Sequence, residues 1–158
     1  MKRDDGEQFQ AGGPMPWFSA SLQLVHEHID PGTVTETLGI LPDRTMKRGQ
    51  PRKNGAGRDI APSRIGMWAI DVPKELIGEL DIASAICYLL DRITPADQRW
   101  NEALALFPDA RVRVFLGLRL DSFNRGFVLS ASLLQQLAGR RIQLDFDVYE
   151  GQVESPSP

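Results

Sequence analysis

Side chains that carry chemistry are scarce in this chain of 158 residues, which has one cysteine and two histidines. Cys87 has no partner for an internal disulfide. Its place in the apolar pattern of residues 82–93 predicts a buried thiol that acts as a small hydrophobe. His26 and His28 flank Glu27, and on an extended strand both would point to one side, a spacing found in metal sites. A zinc site needs a third ligand, and only Cys87 or carboxylates are left to supply it, so His26 and His28 are weak metal candidates for a metal-dependent hydrolase. There is no Ser-His-Asp order, nucleophile elbow, HExxH or dinucleotide fingerprint, and "GQPRKNG" lacks the Gly-Lys-Ser/Thr ending of a phosphate loop. No apolar run approaches the roughly 18 residues needed to span a bilayer. "MKRDDGEQFQAGGPMP" has no apolar stretch behind its basic residues, so neither a membrane nor a secretory route is expected and the cytoplasm is. The expectation is a non-catalytic protein without a cofactor.

What is present reads as one globular domain. Apolar residues make up 42% and charged residues 25%, and a chain of this length buries roughly 70% of its extended surface in a single core. Residues 1–16 and 151–158 are polar and rich in Gly, Pro or Ser, and are expected to be flexible tails around a domain at 17–150.

Inside the domain the periodicity is clear. "WFSASLQLVHE" alternates, with Phe18, Ala20, Leu22 and Leu24 on one side, and predicts a half-buried strand. Asp30-Pro31 followed by "TVTETL" and Gly39 predicts a short capped helix. "IGMWAIDV" resumes a period of two with Trp68, Ile70 and Val72 together. Ile82, Ile86, Leu89, Leu90 and Ile93 make the stripe of one helix, and Trp100, Ala103, Leu104 and Phe107 that of the next. "RVRVFLGLRL" is the strongest strand signal, "DSFNRG" is a turn, Ser130 caps a helix that Gly139 ends, and "RIQLDFDVY" is a last strand with Ile142, Leu144, Phe146 and Val148 inward. Every strand alternates, so a sheet with helices on one face and water or a partner on the other is expected. The fold class is therefore α+β: a two-layer sandwich, mainly antiparallel, of about four strands in two strand-helix-strand halves, with a ferredoxin-like path as one option.

The charge is segregated. Residues 44–64, "RTMKRGQPRKNGAGRDIAPSR", hold seven basic residues against one Asp, which puts the span at +6 and the rest of the chain at −9 for a total of −3. Its glycines and prolines break every period, so a long loop is expected, and loops of this length are usually functional or disordered. An acidic body carrying one basic loop argues against a dedicated DNA binder. A solvated loop that only aids solubility is the plainest reading. A protein partner with an acidic surface comes next, and nucleic acid, with Trp68 stacking on a base, follows. The residues singled out for binding are Arg44, Lys47, Arg48, Arg52, Lys53, Arg58, Arg64 and Trp68, with Arg113, Asp145 and Asp147 from the polar sides of two strands. If those two strands are neighbours, Arg111, Arg113 and Arg119 meet Asp145 and Asp147 as cross-strand ion pairs. The paired aromatic signature of an RNA-recognition sheet is not found.

Several short stretches, namely "FSASLQL", "TLGILPDRTMKRGQ", "GMWAI", "GFVLSASLLQQLAG" and "LDFDVYE", resemble the bacterial family known as domain of unknown function 4279. The matching positions are Leu38-Gly39, Pro42, Lys47, Gly49, Trp68 and Asp145 to Tyr149, over residues 17–150. The resemblance implies a small stand-alone protein of no established activity. For some members it also implies an association with toxins as immunity proteins, which names a context and not a mechanism. A toxin-neutralising binding protein that uses the basic loop and the open sheet face is the resulting expectation.

Overall fold

The computed structural model describes residues 15–121 and 125–150. The expected tails lie outside the described residues except for Met15 and Pro16, and so do residues 122–124 of the expected turn. In chain order the elements are β1 (Trp17–His26), α1 (Pro31–Leu38), β2 (Arg44–Met46), β3 (Arg52–Lys53), β4 (Asp59–Ile60), β5 (Gly66–Asp71), α2 (Lys74–Ile77), α3 (Ile82–Ile93), α4 (Asp97–Leu106), β6 (Arg111–Leu120), α5 (Ala131–Gly139) and β7 (Gln143–Glu150). A single 3₁₀ turn, Thr94–Ala96, joins α3 to α4. None of the described helices is long and apolar enough to cross a membrane.

The fold is α+β with an open, mixed sheet of five strands in the order β2-β5-β1-β6-β7. All neighbours are antiparallel except β6 and β7. A ferredoxin-like path splits each strand-helix-strand unit with a strand from the other half. Here β1 and β5 are hydrogen-bonded antiparallel neighbours, and β6 and β7 are parallel neighbours, so neither half is split. The basic span explains the first half. Arg44 to Met46 pair with Ala69 to Met67, so residues 47–65 are the excursion of a hairpin, and β5 returns antiparallel.

Capping follows the sequence closely at α1. Asp30 accepts the Thr33 N–H at 3.2 Å, and Gly39 takes the left-handed conformation at φ 67°. At α5 the pattern differs, because Gly139 remains helical and the left-handed residue is Arg141, φ 59°. The alternating residues of β1, β5 and β6 join the stripes of α3, α4 and α5 in one core, with Trp100 donating its indole N–H to the Arg140 carbonyl at 3.0 Å. Two apolar expectations fail. Cys87 lies outside the α3 stripe and is exposed, because the inward positions 82, 86, 89 and 93 leave it rotated away from the sheet. Phe146 and Val148 are also exposed, since β7 is the last strand of the sheet and has no described neighbour beyond it; Phe146 stacks on Phe127, ring centroids 5.9 Å apart.

Candidate functional site: the polar sheet face

Strand register sets which side chains share the face opposite the core. One row across the sheet is Arg44, Ala69, Gln23, Arg113 and Gln143; the next is Asp71, Ser21, Phe115 and Asp145. Ser19, Gly117 and Asp147 follow, and then Trp17, Arg119 and Tyr149. The other end of the face is the row Met46, Met67, Val25 and Arg111, eight residues away along β1, or roughly 26 Å.

The middle of this face is not simply wet. Ser21 and Gln23 are buried, at 4% and 5% exposure, and their polar groups are tied in sequence. Arg113 donates from Nη1 to Asp145 at 2.7 Å and from Nε to Gln23 Oε1 at 3.0 Å, and Gln23 Nε2 donates to Ser21 Oγ at 2.7 Å. Gln143 adds a bond to the other Asp145 oxygen at 3.2 Å. The expected cross-strand pairing of Arg113 with Asp145 is thus present, because β6 and β7 are neighbours. Asp147 is engaged differently: it accepts the Tyr149 hydroxyl, and that hydrogen bond holds the phenol above the usual value for a tyrosine.

Three aromatic side chains share the face. Trp17 is 47% exposed, with the Arg119 guanidinium 5.2 Å over its ring, and Arg113 lies 5.3 Å over Phe115. Gly117 keeps the space between them low: a Cβ there would stand 2.7 Å from Ser19 Oγ and 4.0 Å from the Tyr149 ring. Sequence reasoning missed this group because Trp17, Phe115 and Tyr149 come from three strands. The usable signal was the off-face aromatic in "RVRVFLGLRL", whose odd positions are otherwise Arg and Gly.

Beside the aromatics a cleft of about 900 Å³ opens, with Trp17, Ser19, Ser21 and Phe115 on its floor and Pro73 and Ile77 of the α2 segment on one wall. At its edge Arg44 grips Asp71 with two bonds, at 2.6 and 2.7 Å, and this pairing raises the Arg44 pKa despite partial burial.

The basic span leaves the other end of the sheet. It is more ordered than its composition predicts: β3 and β4 pair, and the Asn54 side chain accepts the Ala56 and Arg58 N–H groups at 3.0 and 2.9 Å to close their turn. Gly57 supplies the left-handed residue at φ 75°. Buried Ser63 ties the base, exchanging backbone bonds with Gly49 and Gln50 at 2.7 and 3.1 Å. Four of its seven cations face acids of the chain: Arg44 on Asp71, Lys47 on Asp30, Arg48 on Glu27 and Lys53 on Asp59. Among the described residues no carboxylate lies within 4.0 Å of Arg52, Arg58 or Arg64, and all three are exposed.

Two residues singled out from sequence do not belong to this surface. Trp68 is 0% exposed, because its side of β5 is the core side, and its indole N–H is spent on Thr35 Oγ1 at 3.1 Å; it cannot stack on a ligand. His28 lies past the end of β1, in a turn where its backbone N–H is accepted by His26 Nδ1 at 3.1 Å, so the two imidazoles do not share a strand face. Among the described residues no three His, Cys, Asp or Glu side chains gather as metal ligands.

Neither the curated proteins nor the solved structures contain a match to this chain. Residues 16–151 match the family described as Domain of unknown function (DUF4279), which covers the whole sheet and every helix, and the chain belongs to that family.

Proposed function

We propose that this chain is a non-catalytic binding protein that engages an acidic surface of a protein partner through the arm at residues 44–64 and the adjoining open sheet face. The observation that carries the reading is the trio Arg52, Arg58 and Arg64, exposed cations on a braced arm with no carboxylate within 4.0 Å among the described residues. An ordered arm presents its charges at low entropic cost, and such charges set the rate and the choice of partner more than the affinity. Within this reading the partner is a toxin, as the resemblance implies for some family members, and the compartment is a bacterial cytoplasm.

The nucleic-acid alternative gains three aromatic side chains on the polar face. It loses on charge, because Asp145 and Asp147 share that strip and Arg113 is already bonded to Asp145. We therefore favour a protein.

The test is co-expression with the product of the neighbouring gene. Relief of growth arrest by the wild-type chain, lost in an Arg52→Glu/Arg58→Glu/Arg64→Glu variant that melts at the same temperature, supports the reading. Equal relief by both chains, or no complex between purified proteins at low salt, overturns it. Tight RNA binding that falls steeply with salt would move the assignment to nucleic acid.

A further inference from the structure

We propose that the cleft between Trp17, Phe115 and the α2 segment is a small-molecule site that takes a planar, apolar body bearing a carboxylate, with Ser21 donating its hydroxyl proton to the carboxylate.

Hydrogen-bond direction carries the argument. A guanidinium only donates, so the Gln23 atom facing Arg113 Nε at 3.0 Å must be its carbonyl oxygen. That fixes the amide nitrogen on the side of Ser21, where it donates to Oγ at 2.7 Å. Ser21 Oγ is thus an acceptor in this chain of bonds, and its own proton is left to give. Among the described residues no acceptor receives that proton, although Ser21 is buried, with the residue only 4% exposed, and lines the cleft. A donor held in a buried position at the end of a chain that starts on a guanidinium is polarised toward an acceptor oxygen. The two carboxylates of the lining are each paired, Asp71 with Arg44 and Asp43 with Arg92, whereas Lys74, at the mouth, has no carboxylate within 4.0 Å among the described residues, so its positive charge is the unbalanced one and favours a carboxylate over a neutral carbonyl. Arg44 does not compete for that carboxylate, because Asp71 holds it bidentately.

The rest of the cleft fits the body of such a molecule. Trp17 and Phe115 offer ring faces, each already backed by an arginine on one side, and Pro73 and Ile77 close the wall opposite. A space of about 900 Å³ lies in the range of pockets for drug-sized ligands, mostly apolar with a few placed polar groups.

The probes are 2-naphthoate and the protonated 2-naphthylmethylamine, which has the same ring system without an acceptor. They are titrated into the full chain and followed by the amide shifts of Ser21 and the indole N–H shift of Trp17. The expected result is saturable binding of 2-naphthoate at both positions and none of the amine. Ser21→Ala is expected to weaken 2-naphthoate about tenfold or more, and Ser21→Thr, which keeps the hydroxyl, to restore most of it. Because Ser21→Ala leaves the Gln23 amide without its acceptor, Trp17→Ala serves as the second variant: its exposed position preserves the fold, and binding is expected to fall by a similar factor. No saturable shift with 2-naphthoate, equal binding of the amine, or unchanged affinity in a folded Ser21→Ala protein overturns the proposal. The measurement does not involve Arg52, Arg58 or Arg64, so its result stands apart from the proposed partner interaction.

Discussion

The arm at 44–64 and the middle of the polar sheet face use polar side chains in opposite ways. On the arm at 44–64 the charges are exposed, paired one to one or solvated, and such exposed pairs contribute little to stability. On the strip from Asp145 through Arg113 and Gln23 to Ser21 the groups are buried or half-buried, and each bond fixes the direction of the next. A count of charges locates the first region and overlooks the second. What marks the proposed binding position in the strip is a donor whose direction is forced and whose acceptor is missing among the described residues, and that is a property of order in space rather than of composition.

The comparison breaks first at Trp68. If it belongs to the core and not to the arm, Trp68→Ala lowers stability by roughly 3–5 kcal/mol in chemical denaturation, whereas Trp17→Ala changes it by less than about 1 kcal/mol. Similar costs for the two would mean that burial does not separate them. Next in size is Arg113→Ala, which strands the Gln23 carbonyl and the Asp145 carboxylate and is expected to cost about 2 kcal/mol. A loss no larger than that from arm substitutions would place the strip in the same class as the arm.

Legibility in the sequence tracks how local each feature is. The α1 caps at Asp30 and Gly39 and the α3 stripe were readable because they depend on neighbours within one or two turns. The inward sides of β1 and β6 were readable for the same reason, since alternation alone sets them. β2, β3 and β4 were not: they have two or three residues each and are held by partners such as Ala69 or by the Asn54 side chain, which no periodicity announces. Phe146 and Val148 have the alternation of inward residues, yet the place of β7 at the sheet edge, a fact of strand order, leaves them exposed. Of the candidate site, the Arg113–Asp145 pair was within reach as a conditional statement on strand adjacency. The buried state of Ser21 and Gln23 was not, because a Ser and a Gln on the polar side of an alternating strand read as solvated until Phe115 and Asp71 are seen on either side of Ser21.

A smaller effect is expected on the arm. Replacing Arg52, Arg58 and Arg64 by Gln together should move the unfolding free energy by no more than about 0.5 kcal/mol, because exposed, unpaired cations contribute little to the folded state. Thermal denaturation at low and high salt checks this. A large loss would show that these cations are tied into the fold and would remove them as contact residues.

The finest test concerns how the arm is fastened. Asp30 has two tasks, accepting from Thr33 at the start of α1 and pairing with Lys47 at 3.1 Å, and the hydrogen bond from Lys47 is the leading reason its carboxyl titrates below the ordinary value of 3.8. A carboxyl whose pKa is depressed on folding stabilises the fold in full above its unfolded pKa, and that contribution is lost as pH falls through the folded pKa. The Lys47 fastening is therefore present at neutral pH and released only below about pH 3.8. In Lys47→Met the Thr33 bonds remain, so the Asp30 carboxyl should titrate closer to 3.8 than in the wild type without reaching it. Carbon-detected NMR of the Asp30 side chain reads this directly. Because the pair is exposed, added salt should shrink the difference between the two proteins. An Asp30 titration that ignores both the substitution and the salt would mean that the capping bonds alone set it, and that the root of the arm is held by the backbone bonds of Gly49, Gln50 and Ser63 without help from charge.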